Sequence, residues 1–545
     1  MENQCMERQF VPEFIQQNMM QYVQKGVSSL FEHGIEIQHC VLDDIIALGR
    51  ESQYARDKGF AGITTREEFM KKVPLSDYSD YVTYINDNMQ NDCGQVVNLP
   101  TEYYLLSTGG AAFKGKYYIE TKIGALARQL SIDLWNLHLA KLEPKMTESD
   151  VKMMAITNCA PIENAPNGKV VRRTSSQAAK GLWKKNPELY VFPYEFLEAD
   201  MTDDDRDYMI ALYALKERNL NMLFCNNLGY FGDLLDNIER YPRRMIQDIR
   251  KGRFSVALDD EDRAILESLF EADPTRADEL QRFIEEDGKF IVEKVWPRFE
   301  FSGVWLTGTV GEFSRDVQKR LPQNMRYLSE SYGTSEVMIN IPLEYNLKYG
   351  PLGVYSCFFE FMPLGESDIE KLLTIEEIKD GEYYEIIVST YSGLYRYNLG
   401  DIVCVRGFTG NTPNIEFSCR RSEDINLSTQ KLYGHEFINL IMQIEKESGE
   451  QFAFYQALVE NNQISLVIQL MNEDGEWLNV CRKARLITKQ KGISLNNIFF
   501  VSKAYRADLY EQLKKNGRTV QCIKLPMIAM QRPKERFLNA VYEVQ

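Results

Sequence analysis

Apolar positions recur at a helical period through residues 1–60. Phe14, Met19, Met20, Tyr22 and Val23 mark one segment, and Leu42, Ile45, Ile46 and Leu48 a second over 41–54. In 67–88, Pro74 stops one helix and Ser76 or Asp77 is placed to cap the next. An apolar run ending at Ser107 reads as a strand, 125–142 as an amphipathic helix ending before Pro144, and 153–157 as a strand. Helix is expected over 201–218, with the acidic run from Asp203 near its start as the helix dipole prefers. Strand follows at 222–226, then helix over 232–251 broken at Pro242. Residues 260–295 read as charge-laced helix, 304–308 as a short buried strand, 312–320 as helix, and 354–361 and 383–388 as strands.

Helices and strands thus alternate from about residue 100 to 340, and strands dominate to about 420. This pattern implies an α/β core with a smaller β-rich subdomain. The tail reads as a separate α+β unit: helix over 437–446, a hairpin of 451–459 and 463–469 turning at Glu460-Asn461-Asn462, helix over 507–514, and strand over 520–527. The expected organisation is therefore a large N-terminal domain, 1–410, and a C-terminal domain, 411–545, a usual size for a domain.

A net charge of −16 argues against a general nucleic-acid or anionic-membrane surface, so an anionic ligand would need a local cluster of Lys, Arg and backbone N–H groups. The ten cysteines are scattered with no C-x-x-C, and the four histidines, His33, His39, His138 and His435, show no zinc spacing. The cysteines are expected to be reduced, mostly buried thiols of a cytoplasmic protein. The N-terminus is too polar for a signal peptide, and no apolar run is long enough to span a bilayer.

The stretch Tyr332-Gly333-Thr334-Ser335-Glu336 carries candidate chemistry. A Gly between an aromatic ring and two hydroxyls allows close backbone approach, and the carboxylate suits a hard cation such as Mg²⁺. A plain loop between two strands is the alternative. Asp401 follows Gly400 and precedes another β-rich run, which places it at a strand start or tight turn, where a carboxylate can accept both hydroxyl protons of a ribose. A glycine-rich stretch, Ser107-Thr108-Gly109-Gly110, precedes Lys114 and Lys116. It suits a phosphate-binding turn but lacks the P-loop spacing, and a plain hairpin is the alternative.

Together these stretches resemble the adenylate-forming superfamily of acyl-CoA synthetases, peptide-synthetase adenylation domains and luciferases. Over nearly the whole chain the resemblance narrows to the Gretchen-Hagen-type acyl acid–amido synthetases. It is carried in order by F-x-x-x-VP-x-x-x-Y from Phe69, R-x-x-x-x-x-DI-x-x-G from Arg243, WP at Trp296, TG at Thr307, and YGTSE with Asn340 behind it. FFEFMPL from Phe358, YRYNLGD ending at Asp401, and GF-x-x-x-TP-x-IEF from Gly407 complete it.

The resemblance implies an ATP- and Mg²⁺-dependent enzyme acting as a monomer on a small carboxylic acid and an amino acid or other amine. It would form an acyl-adenylate with release of pyrophosphate, then an amide with release of AMP. A ligase delivering the acyl group to the thiol of CoA or a carrier protein, and a homologue that has lost turnover, are the alternatives. By the same resemblance Tyr332 and Gly333 lie beside adenine, Thr307 and Gly308 shape its slot, and Thr334 or Ser335 sits near the α-phosphate. Glu336 holds the metal and Asp401 the ribose. Ser107, Thr108, Gly109, Gly110 and Lys116 form the phosphate loop. Arg420 and Lys431 sit at the hinge and the start of a mobile C-terminal domain, and Lys524 is the lysine that domain brings to the site. Met153, Phe224 and Leu328 are expected to line the acyl pocket. The loop departs from the family pattern at Gly110 and Ala111, which replace a hydroxyl pair, and at Phe113, which replaces a Gly.

Overall fold

The computed structural model describes residues 9–91, 95–107, 115–148, 150–156, 163–173, 183–184, 186–427, 431–515, 524–529, 531–534 and 538–540. The N-terminal helices form as their periodicity requires. Helix Gly34–Gly49 buries Ile37, Val41, Leu42, Ile45 and Ile46. Its Gln38 amide donates to the carbonyls of Val354 (2.5 Å) and Cys357 (2.7 Å) and accepts from the Phe359 N–H at 2.8 Å, fastening the helix to the strand Cys357–Pro363. Helix Arg66–Lys72 stops before Pro74, and Asp77 caps the next turn by accepting from the Ser79 N–H.

Among the described residues, three sheets make the N-terminal part. The strands Lys152–Ile156, Leu220–Cys225, Phe301–Val304 and Arg326–Ser329 pair in that order, all parallel, with helices in the crossovers. A parallel pair needs such a crossover connection, usually a helix. The hairpin Thr101–Ser107 and Lys116–Thr121 belongs to a four-stranded sheet, with Ser107 opposite Lys116. An antiparallel five-stranded sheet has the order Cys357–Pro363, Tyr383–Thr390, Tyr397–Thr409, Thr412–Arg420, Tyr349–Pro351. The α/β architecture with a β-rich subdomain is therefore present, followed by a smaller C-terminal α+β unit. In that unit the strands Phe452–Glu460, Gln463–Leu470, Leu495–Val501 and Leu538–Ala540 form one sheet, and the helices Gly434–Ser448 and Trp477–Gln490 lie against each other.

Several expected elements are displaced. The strand read at 304–308 is Phe301–Val304, and Gly308 starts a short helix, Gly308–Glu312, instead of ending a strand. The helix read over 312–320 is two short pieces, the second being Arg315–Gln318. Of the strand expected over 520–527, residues 520–523 lie outside the described residues, Leu525 and Pro526 lie in no strand, and the adjoining Ile528 makes a single bridge with Ala457. Asp401 lies inside a long strand, not at its start; Gly400 before it takes φ +70° where the register with the neighbouring strand shifts. A left-handed residue at an irregular pairing is the conformation glycine adopts at no steric cost.

The strands on either side of residue 410 are hydrogen-bonded to each other, with Thr409 paired to Thr412 and Asp401 to Arg420. Buried apolar residues from Ile425 onward gather in a second core. We therefore place the division between the two units near Arg421–Glu423 rather than after 410. The C-terminal unit rests on the N-terminal part through Phe313, whose ring meets Phe454 at 4.7 Å and Tyr455 at 5.1 Å. Arg315 pairs there with Glu445 (2.9 Å), Arg506 with Asp316 (2.5 Å), and Lys514 with Asp204 (2.6 Å). Cys225, Cys357, Cys404, Cys419 and Cys481 are buried free thiols, whereas Cys40 is in a disulfide, against the expectation that all are reduced. Among the described residues no helix is long and apolar enough to cross a membrane.

Candidate active site

The site forms where the parallel sheet meets the β-rich sheet. Strand Arg326–Ser329 leads into the loop that holds Tyr332-Gly333-Thr334-Ser335-Glu336. Asn340 closes that loop: its side-chain oxygen accepts from the Tyr332 N–H (2.8 Å) and its amide donates to the Ile415 carbonyl (2.7 Å). The Thr334 hydroxyl oxygen accepts from the N–H groups of Glu336 and Val337, both at 3.2 Å, so this side chain holds the turn. Of the two hydroxyls expected near a phosphate, Ser335 is the one not engaged in that turn.

Tyr332 and Asp401, far apart in sequence, are brought into contact. The Tyr332 phenol donates to Asp401 Oδ2 at 2.5 Å, and Arg420 Nε lies 3.4 Å from Oδ1. Arg420 reaches Asp401 because the two are direct partners across adjacent antiparallel strands. Asp401 is buried, 3% exposed. Burial raises its pKa, and the Arg420 charge and the Tyr332 hydrogen bond oppose the shift.

Phe417, from the strand paired with that of Asp401, lies 5.1 Å from the Tyr332 ring at 52°. Gly308 takes φ +58°, and a Cβ there would come within 2.7 Å of the Phe417 ring. Thr307 precedes it at the start of the short helix. Tyr332, Phe417 and Gly308 thus pack together as an aromatic patch next to a buried carboxylate. Phe417 escaped the sequence reading of the site, although it ends the IEF segment of a motif quoted there.

Glu336 is half-buried and makes no ion pair with a described residue. Glu336 and Tyr118 line the same small cavity, and burial and then the Glu336 carboxylate push the Tyr118 phenol up. Among the described residues there is no cluster of three or more His, Cys, Asp or Glu side chains that could hold a metal by itself. Glu336 offers one carboxylate, and an ion of the Mg²⁺ kind is commonly held by one or two carboxylates together with substrate phosphates.

Ser107 is half-buried at the end of its strand, and Lys116 opposite has its ammonium 5.1 Å from the Tyr78 ring. Thr108, Gly109 and Gly110 lie outside the described residues. Lys524 is half-buried with its ammonium 4.3 Å from the Trp305 ring, and its charge acts on Asp401 and Glu423. Lys431 is exposed, paired with Asp424 at 2.8 Å and lying over Tyr433. Met153 and Leu328 are buried within the core of the parallel sheet, whereas Phe224 is half-buried between Trp135 (5.4 Å) and Phe301 (5.8 Å).

Residues 24–324 match the GH3 family N-terminal domain and 351–420 the GH3 family central domain. The chain is 23% identical over 429 residues to the indole-3-acetic acid-amido synthetase GH3.6 of Arabidopsis thaliana, covering 73% of this chain and 69% of that protein. It is 24% identical over 440 residues to the 4-substituted benzoates-glutamate ligase GH3.12 of the same plant, covering 77% and 75%. Its fold matches the GH3.15 acyl acid amido synthetase with a TM-score of 0.78 at 20% identity, covering 93% of both chains. Fold and relatives together mark the chain as a ligase of the acyl acid amido synthetase class. The chain belongs to the GH3 family.

Proposed function

We propose that this ligase activates a small carboxylic acid beside the aromatic patch of Tyr332, Phe417 and Gly308, and passes the acyl group to the amine of an amino acid. The observation that carries the reading is the contact of Tyr332 with Asp401 beside Arg420, because it brings together an aromatic ring that could face a base and a carboxylate that could accept from a ribose. Adenine lies against the patch, and the ribose hydroxyls take the place of the Tyr332 phenol on Asp401. Ser335, Ser107 and Lys116 address the phosphates, joined by Thr108, Gly109 and Gly110. Glu336 holds Mg²⁺, which when bound offsets phosphate charge. The relatives named above act on indole-3-acetic acid and on substituted benzoates, both aromatic acids. Phe224 and Trp135 supply an aromatic wall for an acid of that kind.

The chemistry follows from what these groups can do. A carboxylate has no good leaving group, and attack on the α-phosphate of ATP gives it one, AMP. Two anions must meet, so preorganised backbone donors and cations are what lowers the barrier. In the second step the free amine attacks the acyl carbon and AMP leaves. Turnover with a suitable acid is expected to yield AMP and pyrophosphate, read by product chromatography; ADP and phosphate would sink the proposal.

Asp401 gives a second test. Asp401→Asn keeps the shape but removes the charge, and each charge-assisted bond to a ribose hydroxyl contributes about 1.5–3 kcal/mol. ATP affinity is expected to fall by about tenfold or more, measured by titration calorimetry on folded protein. Unchanged affinity would return Asp401 to a structural role with Tyr332 and Arg420.

A further inference from the structure

Behind the YGTSE loop lies a buried arginine that the reading of the site does not use. Arg128 sits in helix Lys122–Leu142, nearly two turns from its start, and its side chain is 6% exposed. Its guanidinium donates through Nη1 to the Thr334 carbonyl (3.1 Å) and through Nη2 to the Ser335 carbonyl (3.0 Å). Its Nε donates to Glu120 Oε2 at 3.1 Å. The other oxygen of Glu120 accepts from the Ser392 hydroxyl at 2.5 Å, and that hydroxyl accepts from the Thr121 N–H at 3.1 Å. Glu120 belongs to the strand leading out of the glycine-rich turn, and Ser392 to the turn just before the strand of Asp401. One buried chain of hydrogen bonds therefore joins the YGTSE loop to the strand that carries Lys116 and to the turn at Ser392.

The geometry has a directional consequence. A trans peptide is planar, with its carbonyl and the following N–H pointing in opposite directions. With the Thr334 carbonyl held inward by Arg128, the Ser335 N–H points away from it, toward the opposite side of the loop. Among the described residues that N–H has no hydrogen-bond partner. The Ser335 carbonyl, held by the same fork, fixes the next peptide and with it the base of the Glu336 side chain. A guanidinium presents several donors in a rigid plane and can hold two adjacent carbonyls at once, which an ammonium on a flexible stem does poorly.

We propose that Arg128, held by Glu120, is a positioning residue for adenylate formation: it fixes the orientation of the 334–335 and 335–336 peptides so that the Ser335 N–H and the Glu336 carboxylate face the triphosphate. The proposal rests on the adenylation reading above. Arg128 differs in this from the other deeply buried arginines. Arg396 directs its fork to Glu360 and to the carbonyls of Met70 and Val73, and Arg276 bonds Leu215, Val295 and Glu279, none of them in the site.

The test compares the full-length protein with Arg128→Lys, which keeps a cation beside Glu120 but loses the fork. Three quantities are read: melting temperature without ligand, AMP affinity, and acid-dependent pyrophosphate release. Hydrogen exchange of the peptide spanning 332–338, with and without ATP, is the fourth. Melting temperature is expected to stay close to that of the unmodified protein, and AMP affinity to fall far less than turnover, since Asp401 and the aromatic pair are untouched and AMP carries only one of the phosphates. Pyrophosphate release is expected to fall about 100-fold, the usual consequence of an ångström-scale misplacement. ATP should slow exchange in 332–338 of the unmodified protein and not in Arg128→Lys. Pyrophosphate release at the unmodified rate, equal protection by ATP, or a loss of AMP affinity as large as the loss of turnover would each overturn the proposal. If the unmodified protein neither releases pyrophosphate with any acid nor gains protection with ATP, the adenylation reading itself fails. Should Arg128→Lys not fold, Glu120→Gln takes its place with the same readouts; failure of both to fold assigns the pair to the fold and overturns the positioning role.

Discussion

Arg396→Met is expected to destabilise the N-terminal part by about 3–5 kcal/mol, the cost of leaving one partner of a buried ion pair uncompensated. Arg396 and Glu360 are each 1% exposed and joined by two hydrogen bonds, Nε to Oε2 at 3.0 Å and Nη2 to Oε1 at 2.7 Å. The remaining nitrogen donates to the carbonyls of Met70 (2.8 Å) and Val73 (2.9 Å), at the end of the helix that Pro74 terminates. The backbone of Arg396 has φ +44°, a sparsely populated conformation for a residue with a side chain, so the surroundings must hold it there. Urea midpoints and slopes for the first unfolding transition measure the effect. Arg396→Met combined with Glu360→Met is expected to recover part of the loss, because the unpaired carboxylate is then gone. ATP affinity of the folded fraction should be unchanged. A loss below about 1 kcal/mol would mean that water reaches Glu360 and the pair is not the brace its burial implies.

That result would divide the most specific run in the chain. In YRYNLGD, Asp401 faces Tyr332 and Arg420 at the site, whereas Arg396 is turned into the core. The run was legible as a signature, but the division of labour within it was not, because Glu360, Met70 and Val73 reach Arg396 only through tertiary packing. Local chemistry was readable elsewhere. Pro74 and Asp77 mark a helix end and a cap, and Asn461 and Asn462 turn the hairpin with φ of 51° and 60°. Helix Trp477–Gln490 went unseen. Its apolar stripe is broken by Arg482, Lys483 and Arg485, while Leu478 and Leu486 are exposed, so no clean period stands out. Of the strand expected over 520–527, the described end meets the sheet only at Met527–Ala529, where the backbone bonds Ala457, because Pro526 has no N–H to extend the pairing. Arg128 was invisible for a related reason: a charge on a helix reads as solvated surface, and its partners Glu120, Thr334 and Ser335 meet it only in the fold.

Lys524→Ala is expected to lower the rate of acid-dependent pyrophosphate release by about 10²–10³, or about 2.7–4 kcal/mol, by analogy with the loss of one preorganised donor. Most of the 63 Lys and Arg side chains are surface charges, so the expectation needs a placement that sets this one apart. Lys524 is half-buried, with its ammonium 4.3 Å from the ring of Trp305, two residues before Thr307 and three before Gly308 of the proposed nucleotide site. Its charge acts on Asp401, and it sits on a C-terminal unit already seated against Phe313 and Arg315. Lys431, the other C-terminal lysine singled out in the sequence, is taken up by Asp424. Negative charge on the oxygen bridging the α- and β-phosphates grows as the carboxylate attacks. An ammonium there acts mainly in the transition state, so its loss should reduce turnover far more than ATP binding. The amine step has a different requirement, access of the amine to the acyl carbon. Lys524→Ala should therefore still make amide from a presynthesised acyl-adenylate. The measurement pairs the two half-reactions on one preparation of enzyme. Adenylate formation at the unmodified rate would reduce Lys524 to a side chain parked on Trp305, and equal loss of both steps would assign it to seating the C-terminal unit rather than to the chemistry.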